Sequence, residues 1–260
     1  MSGDLQPGRR LLDRFVLQRR LHATAGSHLW FAGDERLSST QLLQIYPGVT
    51  DADDAVREAI IRSVRAYRRV RHRHLSTVGD LHEADDLLVV SMDAGDGRLL
   101  SEHASPLPHR ELVRRCRPLV DALVHLHDGD GEHGRIDAAH ILRQEPEDAW
   151  VLLPGDGTQP HRPDLRRLGD LMATVLTGGR PSSGSVNNAP ELLHEGRTVP
   201  ALLDQLIREL READPSARLA GMRDVATRLD QIDEFAATAP PPPAPRPASP
   251  QPTRVPAASR

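Results

Sequence analysis

The stretch Asp164–Pro181, DLRRLGDLMATVLTGGRP, decides the fold. Its apolar residues Leu165, Leu168, Leu171, Met172, Val175 and Leu176 recur at three- and four-residue spacing, which predicts a helix over Asp164–Leu176 with one buried face. The same period appears on either side, over Glu111–His127, Pro200–Arg211 and Met222–Ile232. A short strand pair, Ile141–Leu142 and Trp150–Leu153, interrupts it. The first third of the chain reads differently. Phe15–Leu21, Leu29–Gly33, Gln41–Tyr46, Ser76–His82 and Leu87–Met92 show strand alternation or strand composition, with one helix among them for which Asp51 or Asp53 offers an N-cap. Strands with one helix, followed by helices, indicate an α+β chain in two lobes. There is no internal repeat.

Composition closes several chemistries. The chain has 260 residues, enough for a substantial core, and all 33 basic residues are arginine. Without lysine there is no Walker A ammonium and no Schiff base. Asparagine occurs only at Asn187 and Asn188. Cys116 falls among Leu112, Val113, Leu119 and Val120, the place of a small buried hydrophobe, so neither a disulfide framework nor a cysteine zinc site is expected. The first ten residues lack an apolar signal core, and no run approaches the ~18 apolar residues of a membrane span. The expected compartment is the cytoplasm, with membrane association only through a partner or a further C-terminal segment. A formal charge of −4 gives no reason to expect nucleic-acid binding.

The order of elements and the short words of the chain resemble a bacterial serine/threonine protein kinase domain, over about residues 13–233. Leu21–Ala32 (LHATAGSHLWFA) resembles the glycine-rich loop and second strand, and Asp34–Leu37 (DERL) the turn after it. Gln41–Pro47 (QLLQIYP) resembles the third strand, His72–Asp80 (HRHLSTVGD) the His-Pro-Asn-Ile turn, and Leu88–Leu99 the hinge. Leu119–His127 and His133–Leu142 (HGRIDAAHIL) look like helix E and the catalytic loop, Asp164–Pro181 like helix F, and Asp214–Arg218 (DPSAR) like a late C-lobe turn. The resemblance implies an N-terminal extension at 1–12, an N-lobe at 13–95, a C-lobe at 96–235 and a disordered tail at 236–260. Its closest look is to actinobacterial kinase-like domains, including the cytoplasmic one fused to the lipid II flippase.

Carried over position by position, the framework words survive and the chemical ones do not. The three loop glycines fall on His22, Thr24 and Ser27, whose side chains block close backbone approach to a phosphate. The strand lysine falls on Gln44 and its helix C glutamate partner on Ser63. The catalytic-base aspartate falls on Arg135, which cannot accept a proton, and the metal-binding asparagine on His140. The Asp-Phe-Gly motif has two registers, Leu153-Pro154-Gly155 and Gly155-Asp156-Gly157, neither with aspartate first. Only six residues separate Gly157 from Asp164, a shortened activation segment without an Ala-Pro-Glu word, so Arg218 lacks its usual glutamate. No cofactor and no metal are expected, and the implied function is a pseudokinase that binds proteins. The competing enzyme reading is an atypical kinase or nucleotide-binding switch with relocated residues such as Asp137 or Asp156.

Two features are left for binding. Arg62, Arg65 and Arg69 share the outer face of the predicted helix C, with Arg68, Arg71 and Arg73 nearby. A solvated face and a dock for an acidic or phosphorylated partner both remain open. The tail from Pro240 to Pro256 carries nine prolines, and Thr238 and Thr253 lie in or beside it. The family resemblance implies a forkhead-associated domain protein that reads a phosphorylated tail, in control of peptidoglycan synthesis. The thirteen histidines form no His-Glu-x-x-His unit, and His125 and His127 face different sides of a helix, so surface or satisfied histidines are expected.

Overall fold

The computed structural model describes residues 5–49, 54–84, 86–93, 97–102, 105–129, 131–144, 148–155, 164–178, 198–212 and 219–238. The tail, the shortened activation segment, the Asp-Pro-Ser-Ala-Arg turn and both proposed N-caps lie outside them. So do Asp156 and Thr253.

The first lobe is a six-stranded antiparallel sheet with spatial order β1-β2-β3-β4-β6-β5. Its strands are β1 (Arg10–Leu11), β2 (Phe15–Ala23), β3 (His28–Asp34), β4 (Ser39–Pro47), β5 (Val78–Ala84) and β6 (Leu87–Asp93), with helix α1 (Asp54–Arg69) between β4 and β5. Strand β4 is central and buried on both faces. Leu43 and Ile45 point to an outer core with Phe15, Leu17 and Trp30, while Leu42 and Tyr46 point to an inner core shared with the second lobe. Alternation therefore places Gln44 on the inner face, towards the second lobe. At the rim, Asp34 is held by Arg14 (2.7–3.0 Å) and accepts the N–H groups of Arg36 and Leu37, which fixes the DERL turn.

The second lobe is helical. It comprises α2 (His109–Asp128), α3 (Asp164–Thr177), α4 (Val199–Arg211) and α5 (Met222–Thr238), plus a small sheet of β7 (Arg98–Leu99), β8 (Ile141–Gln144) and β9 (Ala149–Leu152). Each helix buries the stripe its sequence period foretells: Leu168, Leu171, Met172, Val175 and Leu176 on α3; Val225, Leu229, Ile232 and Ala236 on α5. Cys116 is fully buried in α2, and burial pushes its thiol up to about 12, so it packs as an inert hydrophobe. No helix among the described residues is long and apolar enough to cross a membrane.

The lobes are fastened by backbone as well as by side chains. Leu75 bridges Leu152 in parallel, Ser76 N–H donates to Leu152 O (2.9 Å), and Leu152 N–H donates to His74 O (2.9 Å). The buried His74 adds a bond from Nδ1 to Trp150 O (2.7 Å).

Helix α5 corrects one sequence expectation. Thr238 is its last residue rather than part of a disordered tail, and its hydroxyl donates to the carbonyls of Glu234 and Phe235. Ala236 and Ala237 favour the helix, which runs on until the approach to Pro240, before which helical geometry is disfavoured.

Candidate functional site

The site is built around the segment from His133 to His140, which Asp164 holds from below. Asp164 stands at the first turn of α3 and is almost fully buried. Its Oδ2 accepts from His133 N–H (2.9 Å) and His127 Nε2 (2.9 Å), and its Oδ1 from Gly134 N–H (2.8 Å). Burial works to raise its carboxyl, but the His127 bond and the two backbone N–H donors outweigh it and hold the group below the usual range. Gly134 has φ +71°, a left-handed conformation that favours glycine and lets the loop reverse over the carboxylate.

His133 is the inner pillar of the loop. Nε2–H donates to Leu153 O (2.8 Å), while Nδ1 accepts from Arg135 N–H (3.1 Å), a pattern that fixes the neutral tautomer. Burial pushes this imidazole down to about 4. Tyr67 of α1 meets its ring edge-on at 5.8 Å and donates to the same carbonyl (3.4 Å). The third side chain to reach across is Ser63, whose hydroxyl approaches Gly155 O at 3.5 Å. At Gly155 a Cβ would meet His133 O at 2.2 Å, so only glycine fits this crossing.

Where catalytic charge is expected, the loop carries a half-exposed Asp137 hydrogen-bonded to Arg135 and His140. Asp137 Oδ1 accepts from Ala139 N–H (2.9 Å) and His140 Nδ1 (2.9 Å), and Oδ2 accepts from Arg135 Nε (3.1 Å). Arg135 and His140 are both buried. Burial opposes ionisation of Asp137, yet the hydrogen bond and charge of His140, together with Arg135, hold its carboxyl far below the ordinary range. The carboxylate is permanently charged at neutral pH and already spoken for by two partners able to carry positive charge.

The strand ladder fixes what stands across from His140. Ile141 pairs with Leu152, and Leu153 N–H donates to His140 O (2.8 Å), so Leu153 stands directly across from His140. If His140 occupies the asparagine position, the residue opposite it is an aliphatic one. Asp156 and Gly157 of the second register lie outside the described residues.

The roof is the hairpin joining β2 and β3. Thr24 Oγ1 accepts from the N–H groups of Gly26 (3.3 Å) and Ser27 (3.1 Å), and Thr24 N–H donates to Ser27 O (2.8 Å). The backbone donors that could face an anion are thereby turned onto the loop itself. Ser27 is buried, and the His22 ring meets the His140 ring edge-on at 6.1 Å, joining roof to floor. Gln44 is buried between them in sequence register with Leu29 and Val90, and its carboxamide carries no charge. Its register partner Leu29 and the neighbouring Leu42 belong to the inner apolar core.

The structure thus brings His22, Thr24, Ser27, Gln44, Ser63, Arg135, His140 and Gly155 to one interlobe region. Arg62, Arg65 and Arg69 are elsewhere, exposed on α1 away from its buried side at Ile60, Val64 and Tyr67. Sequence reasoning missed Asp137 as the hub of the ion cluster and Asp164 as the anchor of the loop. A carboxylate one helical turn before a histidine was a signal for the former. It also missed a grouping of His72, Asp121 and His125, since the residues come from two distant segments.

No protein-family model matches the chain. Serine/threonine-protein kinase PknI of Mycobacterium tuberculosis, and that of Mycobacterium bovis, are 24% identical over 242 residues, which covers 84% of this chain. The chain spans 41% of the length of these curated relatives. A crystal structure of the M. tuberculosis PknI kinase domain superimposes with a TM-score of 0.70 at 21% identity, covering 90% of this chain and 100% of that one. A double mutant of the same domain gives 0.71 at 20% identity, covering 88% and 99%. The chain therefore has the two-lobed protein kinase fold and is similar in sequence to bacterial serine/threonine protein kinases.

Proposed function

We propose that this domain is a pseudokinase, a kinase-like scaffold that regulates other proteins by binding them. The observation that carries the reading is the Arg135–Asp137–His140 cluster in the loop where phosphotransfer needs a free base. Phosphoryl transfer depends almost wholly on positioning and electrostatics. Here the strand position offers the neutral Gln44, the metal positions offer His140 and Leu153, and the roof donors are spent on Thr24. Hard Mg²⁺ wants carboxylate oxygens, and these residues do not fit a magnesium-bound triphosphate.

The name of the relatives, serine/threonine-protein kinase, favours the competing reading of an atypical kinase that works through Asp137. Thermal denaturation with and without ATP and Mg²⁺ separates the two. The scaffold predicts no shift, since a ligand without affinity for the native state cannot stabilise it, whereas a nucleotide present at 100 times its Kd adds about 2.7 kcal/mol. A rise in Tm, or transfer of labelled γ-phosphate to a substrate, overturns the pseudokinase.

The binding partner suggested by family resemblance is a forkhead-associated domain protein in peptidoglycan control, recruited by a phosphorylated tail. The Thr238 hydroxyl is engaged by its own helix, so Thr253 is the residue to test. Phosphorylated protein is expected to capture such a domain and the Thr253→Ala protein to lose capture; equal capture by both counts against the site.

A further inference from the structure

The turn after α1 and the outer side of α2 converge on a second cluster, outside the His133–His140 loop. His72 Nε2 lies 3.3 Å from Asp121 Oδ2, the His72 and His125 ring centroids are 4.9 Å apart, and one donor atom from each of the three residues lies within 4.8 Å of the others. Asp121 and His125 are one helical turn apart on α2 and share a face. His72 arrives from the segment that leaves the first lobe.

We propose that His72, Asp121 and His125 form a zinc site that clips the exit of α1 to α2. Two imidazoles and one carboxylate are a ligand set of open zinc sites, with solvent completing the tetrahedron, and imidazole donors select zinc over Mg²⁺ or Ca²⁺. Metal–ligand bonds of about 2.0–2.1 Å place tetrahedral donor atoms roughly 3.3 Å apart, the separation that His72 and Asp121 already have. His125 is the exposed member, and with its donor atom within 4.8 Å of the other two a tilt of the ring closes the set. Its Nδ1–H donates to the Asp121 carbonyl (2.8 Å), an outer bond that fixes the tautomer with an Nε2 lone pair to offer.

The neighbours set the cost. His72 Nδ1 now accepts from His74 N–H at 3.2 Å, so ligation through Nε2 moves the ring proton to Nδ1 and gives up that long contact. Arg117 comes within 3.8 Å of Asp121 but is committed to Asp230 at 2.5 and 3.0 Å, and Arg73 is bonded to His74. Asp121 therefore keeps a carboxylate for the metal.

Calorimetric titration of the full chain with ZnCl₂ tests the site, paired with Co²⁺ absorption to read the coordination. One equivalent is expected to bind, to raise the Tm, and to give the ligand-field bands of nitrogen- and oxygen-bound cobalt. His125→Ala, a surface change that leaves the fold intact by circular dichroism, is expected to weaken binding about tenfold or more, as is Asp121→Asn, while His82→Ala leaves it unchanged. Absence of stoichiometric binding by the unaltered chain, or equal affinity in the His125→Ala protein, overturns the proposal. The site does not rest on the pseudokinase reading, and the zinc titration is independent of any nucleotide.

Discussion

Replacing Asp164 with alanine should unfasten the His133–His140 loop and cost more stability than any other single polar change in the site. The carboxylate holds three donors at 2.8–2.9 Å, two of them backbone N–H groups of His133 and Gly134. A hydrogen bond to a charged group contributes about 1.5–3 kcal/mol, and a buried N–H left without a partner costs about 1–3 kcal/mol. The three bonds share one carboxylate and do not add independently, so the expected total is about 3–5 kcal/mol, the range for breaking one side of a buried charged pair. Urea denaturation at neutral pH reads it as a lower midpoint with an unchanged m value. Amide hydrogen exchange supplies a second reading, with protection lost first at His133 and Gly134. Asp164→Asn retains one acceptor oxygen and should fall between the two, which keeps the test open if the alanine protein fails to fold. A loss of less than about 1 kcal/mol in Asp164→Ala would refute the reasoning, because it would mean the loop is held by something else.

Stability should also depend on pH through His133. Its native pKa near 4 lies below the ordinary 6.5, so between these values the unfolded chain binds the extra proton and acidification favours unfolding. The loss is about 1.4 kcal/mol per pH unit across that window, about 3 kcal/mol in all, of which denaturation curves near pH 7 and pH 5 read about 2 kcal/mol. His133→Gln should flatten the slope. Asp164 acts in the same direction at lower pH, since its depressed pKa makes its contribution present above the unfolded value and lost as pH falls through the folded one. On the opposite side of α1, the triple change Arg62→Glu, Arg65→Glu, Arg69→Glu should alter stability by less than about 0.5 kcal/mol while abolishing capture of an acidic partner, which thermal melts and pull-downs can separate.

Strand β4 shows how much of the site was legible. Five consecutive buried residues, Leu42 to Tyr46, read as a strand covered on both sides, and simple alternation assigns Gln44 to the interlobe face. The helices were equally plain because burial follows period. What stayed hidden was everything decided by tertiary approach. The facing of Leu153 and His140 needed the pairing of β8 with β9, the meeting of His22 with His140 needed the lobes together, and His72 joins Asp121 across forty-nine positions. Thr238 was misplaced for a local reason, since proline content marked the tail while alanine carried the helix almost to its edge.

The parallel bridge of Leu75 with Leu152, reinforced by His74, makes the seam between the halves part of the hydrogen-bonded skeleton. Opening the jaws would tear backbone bonds as well as separate greasy surfaces. A binder that straddles the seam therefore meets a surface already set in its final shape and spends little entropy selecting it.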